Sequence, residues 1–232
     1  MRIRLKDLRY IIREVAGPDE LGVYIDSEND VKVGLIYSTT ALIQGITAAL
    51  KGKNPEEEDL DTDQLSAIAK KAARGMIKIA QPGKEDPSNG AWEVVNAAGK
   101  GLGKVVYNVG YAMAPDHALM PDRHSVSGDA RGAWKKQFDV GRQHKKIDDV
   151  EHPKTPDKSD DGIVHNDNSA PWLDYAYWGN GEGVNAMVIN HKNVTGEVAE
   201  LLKPWYGGSA SKAAERLLVS VAEQFFNDAY HD

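Results

Sequence analysis

Residues 92–113 read Trp92-Glu93-Val94-Val95-Asn96-Ala97-Ala98-Gly99-Lys100-Gly101-Leu102-Gly103-Lys104-Val105-Val106-Tyr107-Asn108-Val109-Gly110-Tyr111-Ala112-Met113, and the pattern changes period midway. Trp92 to Val95 is a short β-favouring run. Gly99, Gly101 and Gly103 then mark a loop, after which Leu102, Val105, Val106, Val109 and Met113 fall at i, i+3, i+4, i+7 and i+11, one apolar face of a helix. The segment is therefore predicted to be strand, glycine loop, helix. Such a junction suits an anion, because glycines let the backbone approach closely and the first N–H groups of a helix have no intrahelical partner. Lys100 and Lys104 add positive charge there.

Two common phosphate motifs do not fit. The dinucleotide pattern G-x-G-x-x-G fails because Val106 stands where its last glycine should be, and G-x-x-x-x-G-K-[ST] fails because Val105 follows Gly103-Lys104. The stretch resembles instead the acyl-CoA signature of GNAT-type N-acetyltransferases, in which a strand leads into [QR]-x-x-G-x-[GA] and a helix. Gly101-Leu102-Gly103 matches the second half, and Ala98 stands in place of the Gln or Arg. Leu119-Met120-Pro121-Asp122-Arg123-His124-Ser125-Val126-Ser127, followed by Ala130 and Trp134, is similar to a segment of GNAT-like domains encoded by tailed bacteriophages. The resemblance spans residues 90–165.

The resemblance implies that backbone N–H groups around Gly99, Lys100, Gly101, Leu102, Gly103 and Lys104 hold the pyrophosphate of acetyl-CoA or another acyl-CoA. It implies too that the splayed central strand, at Val94, offers its backbone to the pantetheine. An amine substrate, deprotonated by a carboxylate or water on that strand, would attack the thioester directly. Glu93 is the carboxylate in that position, its pKa open to adjustment by burial. The family commonly places a leaving-group tyrosine on the helix after the next strand; here that helix offers Trp134 and Phe138, which leaves the acid unassigned.

Composition narrows the alternatives. A chain of 232 residues can bury a substantial core, and 41% hydrophobic with 27% charged residues argues for a soluble globular protein. The net charge of −7 argues against nucleic acid as a general partner. No run approaches 18 apolar residues, so no membrane span is expected, and the charged N-terminus does not read as a signal peptide. The absence of cysteine excludes disulfides, thiolate metal sites and a cysteine nucleophile.

Outward from the centre, residues 1–16 are a candidate amphipathic helix, read either as a first helix docked on the core or as a docking peptide for a protein partner or virion. Residues 17–232 are expected to form a single domain with a C-terminal helical extension. Val23 to Ile25 and Val31 to Tyr37 read as a hairpin with a polar turn, and Ser38 or Thr39 as the cap of a helix carrying Leu42, Ile43, Ile46 and Leu50. Leu65, Ile68, Ala72, Met76 and Ile79 predict a helix over 64–80. Ala118 to Met120 reads as a buried strand, and Ser127 as the cap of a helix with Ala130, Trp134 and Phe138 at spacing four. A short strand is expected over 145–150, strands over 172–178 and 184–190 as a hairpin through Gly179 to Gly183, a short helix ending before Pro204, and a last helix over 209–229. Residues 148–168, with seven carboxylates and with His152 and His165, read as a polar excursion without calcium-loop spacing.

Asp122, Arg123, His124, Ser125 and Ser127 form the other polar concentration. Triads are gathered from separate elements, so this run reads as a turn leading to the Ser127 cap and not as a nucleophilic site. No paired-histidine metal motif occurs. The fold class expected is α/β (α+β), a GNAT-like mixed, largely antiparallel twisted sheet flanked by helices. The resemblance implies two functions, an acyl-CoA-dependent N-acyltransferase of phage origin or a virion-associated or interaction protein that keeps the fold without catalysis, and a place in the phage virion or the host cytoplasm.

Overall fold

A computed structural model describes residues 21–28, 30–58, 61–82, 90–99, 101–122, 126–147 and 170–228. The fold is mixed α/β, a seven-stranded, mostly antiparallel sheet flanked by helices. The candidate helix over 1–16, Lys100, the Arg123-His124-Ser125 run and the 148–168 excursion lie outside the described residues.

The elements follow in the order β1 (Leu21–Glu28), β2 (Val31–Ser38), α1 (Thr39–Leu50), α2 (Thr62–Ala72), β3 (Ala73–Ala80), β4 (Trp92–Gly99), α3 (Gly103–Met113), β5 (Ala118–Pro121), α4 (Gly128–Asp139), β6 (His144–Lys146), β7 (Tyr175–Trp178), α5 (Val184–Tyr206) and α6 (Ala210–Asp228). Strand neighbours run β1-β2-β3-β4-β5-β7-β6. The β4–β5 pair is parallel, as a strand–helix–strand crossover through α3 requires, and β7 runs antiparallel to both β5 and β6.

The described residues cluster into two units, one made of 21–24, 35–75 and 183–228, the other of 25–34 and 76–182. In the first, α1 packs on α2 and α5, and α6 on α2 and α5. Ser38 caps α1 by accepting from the Ala41 N–H (3.2 Å), and Asp61 caps α2 through the Gln64 N–H (2.9 Å). Gly45 allows the α1–α2 approach: a Cβ there would meet Ile68 Cγ2 at 2.5 Å.

In the second unit, α3 lies close against the sheet because two glycines remove side chains from the contact. A Cβ on Gly110 would meet Ile77 Cδ1 at 2.6 Å and Leu119 Cδ1 at 2.9 Å, and one on Gly34 would meet Val109 Cγ1 at 2.5 Å. Lys32 Nζ donates to the Met113 carbonyl (2.7 Å), placing a cation at the negative end of α3.

Five sequence expectations are corrected. The helix expected over 64–80 ends at Ala72, and Ala73–Ala80 is β3. Gly75 lies just past the break, and the adjacent Met76 and Ile77 are both buried, which suits a strand covered on both faces. The strand expected over 184–190 is the start of the 23-residue α5: Val184, Met187, Val194, Val198 and Leu202 share a helical face, so the longer period prevails over β-branched composition. The helix passes through Pro204, which sits in its last turn, and no hairpin forms at Gly179 to Gly183. Finally, Pro171–Asp174 is a 3-10 turn, and the strand begins only at Tyr175. The hairpin β1–β2, the central strand–loop–helix, β5, α4 and the last helix fall where the sequence places them.

Candidate functional site

The glycine loop turns because Gly101 adopts φ +78°, a conformation that side chains disfavour. The Leu102 N–H closes the turn on the Gly99 carbonyl (3.3 Å). Leu102 is then the N-cap of α3, and having no polar side chain it caps nothing. The helical ladder opens with Val106 N–H to the Leu102 carbonyl (2.9 Å), so the N–H groups of Gly103, Lys104 and Val105 precede it. By contrast, Ser127 caps α4 through the Ala130 N–H (3.3 Å).

A cleft of about 860 Å³ runs between α3 and α4 from this uncapped end. Gly101, Gly103, Lys104 and Tyr107 line it on one side, and Gly128, Lys136, Gln137 and Arg142 on the other. Among the described residues of the lining, Lys104, Lys136 and Arg142 carry positive charge and Asp129 negative, so their balance is positive. Lys104 also pairs with Glu182 at 3.5 Å, but both side chains are so exposed that the pair holds Lys104 weakly.

A smaller cleft of about 210 Å³ lies beside β4. Pairing with β5 covers Trp92, Glu93 and Val94, and β5 ends at Pro121, whereas β4 continues to Gly99. Val94, Val95, Asn96 and Ala97 all line this cleft. Side chains of a strand alternate in direction, so four consecutive lining residues mean that the cleft faces the strand's edge and its backbone N–H and C=O groups. Asp122, Ser127, Ala130 and Trp134 close the other side.

Tyr107 lines both clefts. It is 8% exposed, its ring stands edge-on to Trp134 (centroids 5.2 Å apart), and burial pushes its phenol up to about 12. At neutral pH the hydroxyl is therefore a proton-bearing donor.

The structure gathers Val94, Gly101, Gly103 and Lys104 at these clefts, with Leu102 and Gly99 forming the turn between. Glu93 is half-buried on β4 opposite Met120 and lines neither cleft. Asp122 borders the smaller cleft. Among the described residues no group of three metal-binding side chains occurs, and no helix is long and apolar enough to cross a membrane. The sequence reading missed Tyr107, Gln137 and Arg142. The signal for the first was present: Tyr107 and Tyr111 stand at i and i+4 on α3, one face of that helix. Comparison with family models, curated proteins and solved structures finds no match.

Proposed function

We propose that the protein is a GNAT-like, acyl-CoA-dependent N-acyltransferase. The observation that carries this reading is the uncapped N-terminus of α3, with its glycine turn, opening on a basic cleft, with a second cleft lined by Val94 to Ala97 of β4. The N–H groups of Gly103, Lys104 and Val105, with the positive end of the helix dipole and Lys104, suit a pyrophosphate. The edge of β4 at Val95 to Ala97 suits an amide-bearing chain, which would pair with it as an added strand does. The register of the parallel β4–β5 pair ends at Val94 and Pro121 while β4 runs on to Gly99, which supports likening β4 to the splayed central strand of that family.

In this reading the pantetheine lies in the smaller cleft, its thioester near Tyr107, and an amine attacks the acyl carbon. Collapse of the tetrahedral adduct breaks the C–S bond, giving an amide and a thiolate. The amine's proton passes to a base; Glu93, the carboxylate on β4, lies outside both clefts and takes that proton through a bridging water. Acetyl transfer from acetyl-CoA to a broad panel of amines, followed as free thiol release, tests this. Removal of a working general base costs about 10² to 10⁴ in rate, so Glu93→Gln should slow transfer at least a hundredfold with little change in CoA affinity. An unchanged rate rejects Glu93.

A virion-associated or interaction role without catalysis is the second reading. Ala98 in place of the Gln or Arg, and a helix after β5 that presents Trp134 instead of a tyrosine, favour it. Coenzyme binding without transfer to any amine would decide for it.

A further inference from the structure

The α3–α4 cleft has a second end, built by the way α4 stops. Gly141 takes φ +67°, which turns the chain back so that the Arg142 N–H reaches the Gln137 carbonyl (3.1 Å) and the Gly141 N–H that of Phe138 (3.0 Å). This glycine-centred stop brings Arg142 against the last turn of the helix it follows. Tyr111, on α3, meets both residues there: its hydroxyl donates to Gln137 Oε1, and the Arg142 guanidinium lies 5.0 Å from its ring centroid. The chain leaving β7 locks the group in place. A Cβ on Gly179 would meet the Tyr111 ring at 2.4 Å and Arg142 Nη1 at 2.8 Å.

Two donors in this arrangement have no partner among the described residues. Gln137 is 9% exposed, and with its Oε1 engaged by Tyr111 its Nε2 is left buried and unpartnered; Arg142 Nε is buried and unpartnered as well. Both residues line the cleft, beside Lys136. Buried donors are almost always satisfied, and a pair of them, one on a cation, is complementary to a group that offers acceptors only. Tyr111 stands eight residues along α3 from Gly103, about 12 Å by helix rise.

We propose that the far end of the α3–α4 cleft, at Gln137 and Arg142, is a binding subsite for an oxyanion, the phosphate or carboxylate end of a ligand. Both donor atoms are covered, so binding turns the two side chains toward the cleft that their residues line: one oxygen then accepts from Arg142 Nε, a second from Gln137 Nε2, and Lys136 supplies further positive charge. The proposal does not depend on the acyl-CoA reading. It requires only that what enters the cleft carries an anionic group toward its far end.

The test is nuclear magnetic resonance on the whole protein, following the Arg142 Nε–H and Gln137 side-chain amide signals during titration with sodium phosphate and, separately, sodium acetate at constant ionic strength. Both signals should shift together and saturably with at least one anion; phosphate alone marks a phosphoryl ligand, acetate alone a carboxylate. Arg142→Lys keeps the charge but lacks the Nε donor, and should weaken that binding at least tenfold. Side-chain signals unmoved by either anion up to 50 mM, or Arg142→Lys binding as the wild type does, would overturn the proposal; should that variant fail to fold, the wild-type titration decides alone. The backbone amides of Gly103 to Val105, titrated with acetyl-CoA in the same protein, report on the other end of the cleft. Failure of one reading is thereby distinguished from failure of the other.

Discussion

Gly101 and Gly103 look alike in sequence, yet the structure gives them different reasons to be glycine, and substituting each by alanine separates those reasons. Gly101 needs φ +78°, and an L side chain held in the left-handed region costs roughly 1 to 2 kcal/mol. Gly103 is the first residue of α3, needs no positive φ, and a Cβ built on it meets nothing within 4 Å. Gly103→Ala should therefore stabilise the fold by about 0.4 to 1 kcal/mol by restricting the unfolded chain, raising Tm by about 1 to 4 °C. The same Cβ would stand in the cleft where a pyrophosphate must approach the backbone. Acetyl-CoA affinity should fall at least tenfold, about 1.4 kcal/mol, in a protein that is no less stable. Thermal unfolding and calorimetry on the two variants and the wild type make the comparison. Wild-type affinity in Gly103→Ala would place the ligand elsewhere, and a loss of stability equal to that of Gly101→Ala would refute the conformational argument.

Gly110→Ala should destabilise by about 1 to 3 kcal/mol through overpacking against Ile77 and Leu119, a chemical-denaturation midpoint shift without change of slope. Trp134→Ala should cost about 3 to 5 kcal/mol, since the ring is 1% exposed and packs on Tyr107 and Tyr177; a smaller loss would mean that the aromatic cluster collapses to fill the hole. His191 accepts from or donates to Tyr37 Oη at 3.0 Å, and burial, with Lys192 adding to it against the opposing pull of Glu215, holds its pKa below 6.5. The unfolded state then takes up the proton first, so this contribution is complete above pH 6.5 and is lost as pH falls through the depressed value; His191→Gln should flatten that part of the stability–pH curve.

What the sequence made legible was local. Ser38 and Ser127 caps, the strand–loop–helix at Trp92 to Met113 and the buried Ala118 to Met120 each rest on signals within a few residues, and each stands in the structure. The misread elements are those where two periods compete. Residues 65 to 79 satisfy a helical spacing, but the paired burial of Met76 and Ile77 is decided by neighbours across the sheet. At Val184 to Asn190 a β-branched composition hid a face that becomes visible only over 23 residues. The site divides the same way. Its glycine turn is written in adjacent residues, whereas Tyr107, Gln137 and Arg142 come from two helices and a turn, and their convergence is tertiary.

The central claim is that the α3 end of the cleft takes an acyl-CoA. Isothermal calorimetry of the wild-type protein with acetyl-CoA and with free CoA, at a fixed and stated salt concentration, tests it most directly. The account predicts saturable heat with both ligands at concentrations below about 1 mM, weakened by added salt because the site is cationic. No heat at millimolar ligand, from protein shown to be folded, would contradict it.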